Sequence, residues 1–156
     1  MRDGDGWTHC AQGHRHWGRY GAAGLLLVAP GPAELLVLLQ HRAAWSHHGD
    51  TWGIPGGVRG SREAPVEAAL REAAEETGLV TTGLRVQGEH VDDHGGWSYT
   101  TVLATAASLL PVHALDREST DVRWVVLDGV DALPLHPGFA GSWPMLRPRV
   151  SSPGLR

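Results

Sequence analysis

The stretch GVRGSREAPVEAALREAAEETGL, residues 57–79, decides how the rest of this chain is read. Its later part is dominated by Glu, Ala, Leu and Arg, residue types that lose little freedom in a helix. Pro65 sits near the start, where a missing amide donor costs little, and Gly78 follows as a C-terminal stop. A helix over residues 63–77 is therefore expected. On it Glu72, Glu75 and Glu76 fall at i, i+3 and i+4, so three carboxylates share one face within about one turn. Arg71 stands four residues from both Glu67 and Glu75, where it can orient that acidic face.

By composition alone such a helix is a solvated surface laced with Glu–Arg pairs. The segment in front of it, Ile54-Pro55-Gly56-Gly57, reverses that preference, because bare backbone there can bring a carbonyl or amide against a metal or phosphate. Three unneutralised carboxylates repel one another. A hard divalent cation such as Mg²⁺ relieves the repulsion, since it takes oxygen ligands and shares its shell with water and substrate phosphates.

Working outward, residues 22–29 form an apolar run closed by Pro30-Gly31-Pro32, and residues 34–40 supply a hairpin partner. Residues 41–60 read as a long loop carrying Trp45, His47, His48, Asp50 and Trp52. Beyond the helix, 84–91 and 97–106 read as strands joined across the Asp92–Gly96 turn, and 122–127 as a further strand. Residues 137–146 favour a helix, but Pro144 interrupts them, so only a short terminal helix is expected. Strands and helices mixed in one short chain predict an α/β sandwich, with helices covering both faces of a mixed sheet. The expected organisation is a polar, loosely held lead-in over 1–20, one domain over 21–150 and a tail over 151–156.

The 13 cationic residues are all arginine and the 17 acids leave a net charge of −4. Glu63, Glu67, Glu72, Glu75 and Glu76, set against Arg71 alone, account for the whole excess. With no dense basic run, bulk nucleic-acid binding is excluded as a function. The longest apolar run, around Leu25 to Ala29, is far below the roughly 20 residues of a membrane-spanning helix. The N-terminus lacks the cationic start and apolar core of a secretory signal, so a cytoplasmic protein without membrane partners is expected. The single Cys10 is consistent with a reducing compartment. Cys10, His14 and His16 lie close in sequence but fall short of a zinc-ligand spacing, and a flexible or packed lead-in is the expectation for them.

Residues 57–79 resemble the Nudix box, in which Gly, five residues, Glu, seven residues and then Arg-Glu-apolar-x-Glu-Glu-x-Gly-apolar recur. Gly57, Glu63, Arg71, Glu72, Glu75, Glu76, Gly78 and Leu79 all match in register. Ala73 stands where the family usually has Ile, Leu or Val, so closer helix–sheet packing is expected there. The resemblance implies a Nudix-like α/β/α sandwich with a mixed β-sheet. It also implies Mg²⁺-dependent hydrolysis, with Mn²⁺ as a substitute, of a diphosphate linkage in a nucleoside diphosphate derivative. Glu72, Glu75 and Glu76 would hold metal, with the Gly56 carbonyl completing the shell, while Arg71 orients a glutamate and Glu63 braces Arg71. The general base stays open between Glu72 or Glu75 in the box and Glu118 or Asp121 in a later loop, with Glu118 preferred.

Arg42 reads either as a fork for a substrate phosphate or as a solvated strand-end arginine. Trp45, His47 and His48 are assigned to stacking on or hydrogen-bonding a base, whereas Trp52, Trp97 and Trp124 are assigned to the core. The chain lacks the proline expected shortly after the box in an ADP-ribose hydrolase, because Pro111 is the next after Pro65. It also shows no zinc insert of the NADH-hydrolase kind. A (deoxy)nucleoside triphosphate, oxidised or not, or a nucleotide sugar remains by elimination. The alternative is a non-catalytic Nudix-fold nucleotide sensor, against which the intact acidic face argues; an isoprenoid diphosphate isomerase is more remote, with no cysteine near the box. The family's frequent dimers make a homodimer a further expectation.

Overall fold

The computed structural model describes residues 3–150. Among these, nine strands, β1 (Trp7–His9), β2 (Arg15–Trp17), β3 (Ala22–Pro30), β4 (Leu35–Arg42), β5 (Trp52–Gly53), β6 (Gly56–Val58), β7 (Arg85–Asp93), β8 (Ser98–Thr105) and β9 (Ser119–Val126), combine with helices α1 (Pro65–Thr77) and α2 (Pro137–Val150). A 3₁₀ segment, Leu127–Ala132, leads from β9 toward α2. The expected tail over 151–156 lies outside the described residues.

Seven strands form one mixed sheet in which β3 and β8 run parallel and the other pairs antiparallel. The expected hairpin of β3 and β4 is present, but it pairs only from Val28↔Val37 to Pro30↔Leu35. Below that point the two strands separate. The freed edge of β3 pairs with β6 from Ala22↔Val58 to Gly24↔Gly56, and the freed edge of β4 pairs with β5. The sheet is thus forked, and the chain linking β5 to β6, Ile54-Pro55, runs inside the fork, with Pro55 O accepting from Leu25 N at 2.9 Å.

Alternation sorts the strand residues onto two cores. Leu25, Leu27, Leu38, Val102 and Ala104 pack with Ala68, Ala69 and Ala73 of α1. Leu26, Val28, Val37, Leu39 and Leu103 pack with Phe139, Trp143, Leu146 and Val150 of α2. Both sheet faces are therefore covered, and the apolar run of β3 is buried on both sides. Three small alanines of α1 face the sheet, flanked by Val66 and Leu70, and Ala73 is fully buried.

Four expectations are corrected or refined. The terminal helix is not cut short at Pro144; α2 continues to Val150 with Pro144 and Pro148 inside it. Phe139, Trp143, Leu146 and Val150 form a continuous buried stripe, whereas both prolines lie on the exposed side, where water can serve the carbonyls their rings cannot. Burying large side chains at ~1.5–3 kcal/mol each outweighs two missing amide donors. The lead-in, in turn, carries a hairpin of β1 and β2 registered from Trp7↔Trp17 to His9↔Arg15, with Cys10 buried at its turn. Period-2 alternation over only three residues per strand is too short to recognise in sequence. The segment read as a long loop also contains β5 and β6. Trp52 and Trp124 are half-buried and pack against the two cores, whereas Trp97 belongs to neither core and stacks on His16. Among the described residues no helix is long and apolar enough to cross a membrane.

Candidate active site

The box helix starts without a polar cap. Pro65 opens it, and Glu67 Oε1 reaches back to accept from Ala64 N at 2.9 Å. It ends at Gly78, whose positive φ of 72° is easy only for glycine, with the Gly78 N–H donating to Ala74 O at 3.0 Å. Ala68, Ala69, Ala73, Glu76 and Thr77 are its buried positions, so burying the alanines also carries Glu76 inward.

Glu76 is only 8% exposed. Its Oε1 accepts from Gly56 N at 3.0 Å and from Gln40 Nε2 at 3.2 Å, tying α1 to β6 and β4. Burial, and next the charge of Glu72, push the Glu76 carboxyl up to about 8, against the hydrogen bond from Gly56. Glu72 lies beside the glycine turn: a Cβ on Gly57 would stand 2.5 Å from the Glu72 Cδ. Only glycine permits that approach. Glu75 is the more exposed of the three.

Arg71 organises the carboxylates. Its Nε and Nη2 donate to Glu63 at 2.6 and 2.9 Å, its Nη1 donates to Glu72 at 2.7 Å and to Glu75 at 3.4 Å, and Nη2 also reaches Val58 O at 3.0 Å. One guanidinium thus links the loop before the helix to two carboxylates upon it.

Beside Glu76 a pocket opens in the fork of the sheet. It is lined by Gln40 and Arg42 of β4, Gly53, Ile54 and Gly56, Tyr99 and Thr101 of β8, Asp116, Glu118 and Ser119, and His136, Phe139 and Ser142 at α2. Of the anticipated site residues, Glu76, Gly56, Arg42 and Glu118 meet here. Arg42 is held by its Nε donating to His47 O at 2.8 Å. The register between β4 and β9 shifts between His41 and Arg42, and Ala43 N donates to Glu118 O at 2.7 Å, which fixes Glu118 at the rim. Asp121 instead pairs with Arg123 at 2.6 Å and lines no part of the pocket. Trp45, His47 and His48 are exposed and also outside the lining, although the His48 ring stands edge-on to His136 at 4.9 Å.

Sequence reasoning missed Gln40, Tyr99, Asp116, His136 and Ser142. Gln40 left a signal, a polar residue ending an apolar strand run, and Tyr99 and Thr101 alternate on one strand face. Asp116 had none: it is placed because Leu115 N and His113 N donate to carbonyls of Glu76 and Thr77, at 2.9 and 3.0 Å. Burial, followed by the Arg42 charge, holds the His136 imidazole down to about 4. Burial and the charges of Glu76 and Glu72 push the Tyr99 phenol well above its ordinary range.

The donor set fits a hard divalent cation. It consists of carboxylates and amide oxygen, burial and then the charge of Glu72 oppose the ionisation of Glu76, and the buried Oε1 of Gln40 has no hydrogen-bond partner.

Known proteins agree with this architecture. The family model for the NUDIX domain matches residues 18–147. The chain is 53% identical over 152 residues to the protein named "Putative 8-oxo-dGTP diphosphatase 3" of Mycobacterium tuberculosis, covering 93% of this chain and 70% of that one. It is 42% identical to a nucleoside triphosphate pyrophosphatase/Nudix hydrolase fusion protein of Bifidobacterium longum, covering 94% of this chain but 32% of the fusion. The crystal structure of RenU, a Nudix hydrolase from M. smegmatis, superimposes with a TM-score of 0.87 at 51% identity, covering 95% of this chain and 96% of that one. With the glycine turn, the Arg71-braced carboxylates and the forked sheet all in place, the chain belongs to the NUDIX family and is a Nudix pyrophosphohydrolase.

Proposed function

We propose that this chain hydrolyses a diphosphate linkage of a (deoxy)nucleoside triphosphate, with Mg²⁺ as its ion and Mn²⁺ able to replace it. The observation that carries the reading is Glu76, a buried carboxylate of the acidic helix that also lines a pocket shared with Arg42. Glu72, Glu75 and Glu76 would hold the cation together with the carbonyl of Gly56. Bound there, a divalent cation neutralises phosphate oxygens and acidifies water at neutral pH.

The protein's own groups do the rest. Arg42 offers a planar cationic fork to a phosphate at the pocket wall. Glu118, at the rim, is suited to accept a proton from the attacking water. Arg71 positions Glu72 and Glu75 and does not enter the pocket lining. Tyr99, kept neutral, can donate a hydrogen bond, and the neutral His136 and Phe139 offer flat faces for a base. His48 extends that wall outward through its ring contact with His136; Trp45 and His47 serve a base only if the loop carrying them moves inward.

Support for a triphosphate comes from the name of the M. tuberculosis relative, which makes 8-oxo-dGTP the first compound to test. The test incubates the protein and Mg²⁺ with 8-oxo-dGTP, dGTP, ADP-ribose and a UDP-sugar and measures the nucleoside mono- and diphosphates formed by anion-exchange chromatography, with phosphate and pyrophosphate from the triphosphates. Turnover of the triphosphates that Glu75→Gln abolishes is the expected result. Unchanged turnover in that variant sinks the site assignment; tight binding without product makes the chain a nucleotide sensor.

A further inference from the structure

A second cluster of metal-ligating groups lies outside the acidic site. The Cys10 Sγ and one ring nitrogen from each of His16 and His94 lie within 4.8 Å of one another. They come from three places: the turn after β1, strand β2 and the turn between β7 and β8. Spacing in the sequence pointed to His14 beside Cys10, but the fold brings in His94 from far along the chain.

The histidines are arranged as ligands are. His94 Nε2 lies 3.1 Å from Asp92 Oδ2, leaving Nδ1, which is buried and has no hydrogen-bond partner. A carboxylate on one imidazole nitrogen fixes the tautomer in which the other nitrogen presents its lone pair. His16 Nε2 is likewise buried without a partner, and its ring is stacked on Trp97, centroids 4.0 Å apart and planes 7° from parallel. Two orphaned nitrogens beside a buried thiol are costly unless something binds them.

We propose that Cys10, His16 and His94 form a zinc site that clips the N-terminal hairpin to the β7–β8 turn. One sulfur and two imidazoles suit a borderline-soft ion rather than Mg²⁺. Tetrahedral bonds of about 2.3 Å to sulfur and 2.1 Å to nitrogen put ligands roughly 3.5 Å apart, so closure asks for about 1 Å of movement. The fourth position falls to solvent beside the partly exposed His94. A thiolate, two neutral imidazoles, Zn²⁺ and the Asp92 carboxylate sum to zero charge. The backbone already couples these segments, since Ala11 N donates to Gly95 O at 2.6 Å. The same N-terminal region touches the box loop, where Ser61 N donates to Asp3 Oδ1 at 3.2 Å.

The test titrates the full chain with Zn²⁺ or Co²⁺ under saturating Mg²⁺, which occupies the acidic face. Expected are one tightly bound equivalent, a near-ultraviolet sulfur-to-cobalt charge-transfer band, and a higher melting temperature with Zn²⁺. Cys10→Ser should remove the band, His94→Gln should weaken Zn²⁺ binding at least tenfold, and Asp92→Asn should weaken it about tenfold through the tautomer. Magnesium-dependent hydrolysis by Cys10→Ser should stay at the parent rate. Absence of the band in the parent protein overturns the proposal, as does equal Zn²⁺ affinity in parent, Cys10→Ser and His94→Gln. The band is read on the unsubstituted protein, so the outcome does not depend on how well any variant folds.

Discussion

Arg71 grips Glu63 through two near-parallel hydrogen bonds, 2.6 Å from Nε and 2.9 Å from Nη2, while its remaining Nη1 points to Glu72 and Glu75. Glu63→Gln keeps the shape and removes the charge, releasing Arg71 to pair more closely with the box carboxylates. The expected cost is ~1–2 kcal/mol of stability, with a fall of at least tenfold in kcat and little change in KM. Steady-state kinetics beside thermal melting check it; a melting shift with unchanged kcat would make the fork purely structural.

Gly57→Ala separates stability from chemistry differently. The added methyl would meet the end of the Glu72 side chain at 2.5–2.8 Å, a group that can swing away at small energetic cost. Melting should shift by only a few degrees, whereas kcat should drop about 100-fold because a carboxylate has moved by an ångström or so. Retained activity would mean that the position of Glu72 is not critical.

Glu76 makes metal-free stability depend on pH. Its folded-state pKa, about 8, is raised above the unfolded value near 4.5, so the native state binds the extra proton between them. This contribution is present below about pH 4.5 and is lost as pH rises through 8. Denaturant melts of metal-free protein should therefore weaken from pH 5 to 8.5, by on the order of a few kcal/mol. Saturating Mg²⁺ should flatten the slope, and Glu76→Gln should remove it. A metal-free profile that rises over this range contradicts the prediction.

On the other face, Trp143 anchors α2 and is 2% exposed, while the nearby Met145 is 57% exposed. Trp143→Ala should cost ~3–5 kcal/mol, against less than about 0.5 kcal/mol for Met145→Ala. Equal melting shifts would mean that α2 does not bury its stripe in solution.

Local chemistry made the catalytic helix readable: Pro65, Gly78 and the clustered glutamates each carry their reason in a few neighbouring residues. β3, β4, β8 and β9 were readable for a similar cause, apolar residues in runs bounded by turn residues, whereas β7 is largely polar and was marked chiefly by the Asp92–Gly96 turn that closes it. The pocket was not readable. Gln40, Asp116 and His136 meet only because β4 leaves β3 and because the loop before β9 docks on the carbonyls of Glu76 and Thr77. Such long-range pairings leave no period. Pro144 misled for the opposite reason, since a strong local rule yielded to the burial of Phe139, Trp143, Leu146 and Val150.

The fork between β3 and β4 has a consequence for how this scaffold can change. Both freed strand edges are already paired, with β6 and β5, so the cleft exists in the backbone ladder and does not depend on which side chains line it. Half-buried lining positions such as 119 and 142 can be exchanged to reshape the cavity for another nucleobase without unzipping a strand. Glu72 and Glu75 sit on a separate element, anchored by Arg71, whereas Glu76 itself lines the cleft and is held by Gln40 and Gly56. With Gln40, Arg42, Gly56, Glu76 and Glu118 kept, substrate preference can therefore drift independently of bond-breaking, and a library confined to the remaining half-buried cleft positions should yield altered selectivity far more often than loss of the fold.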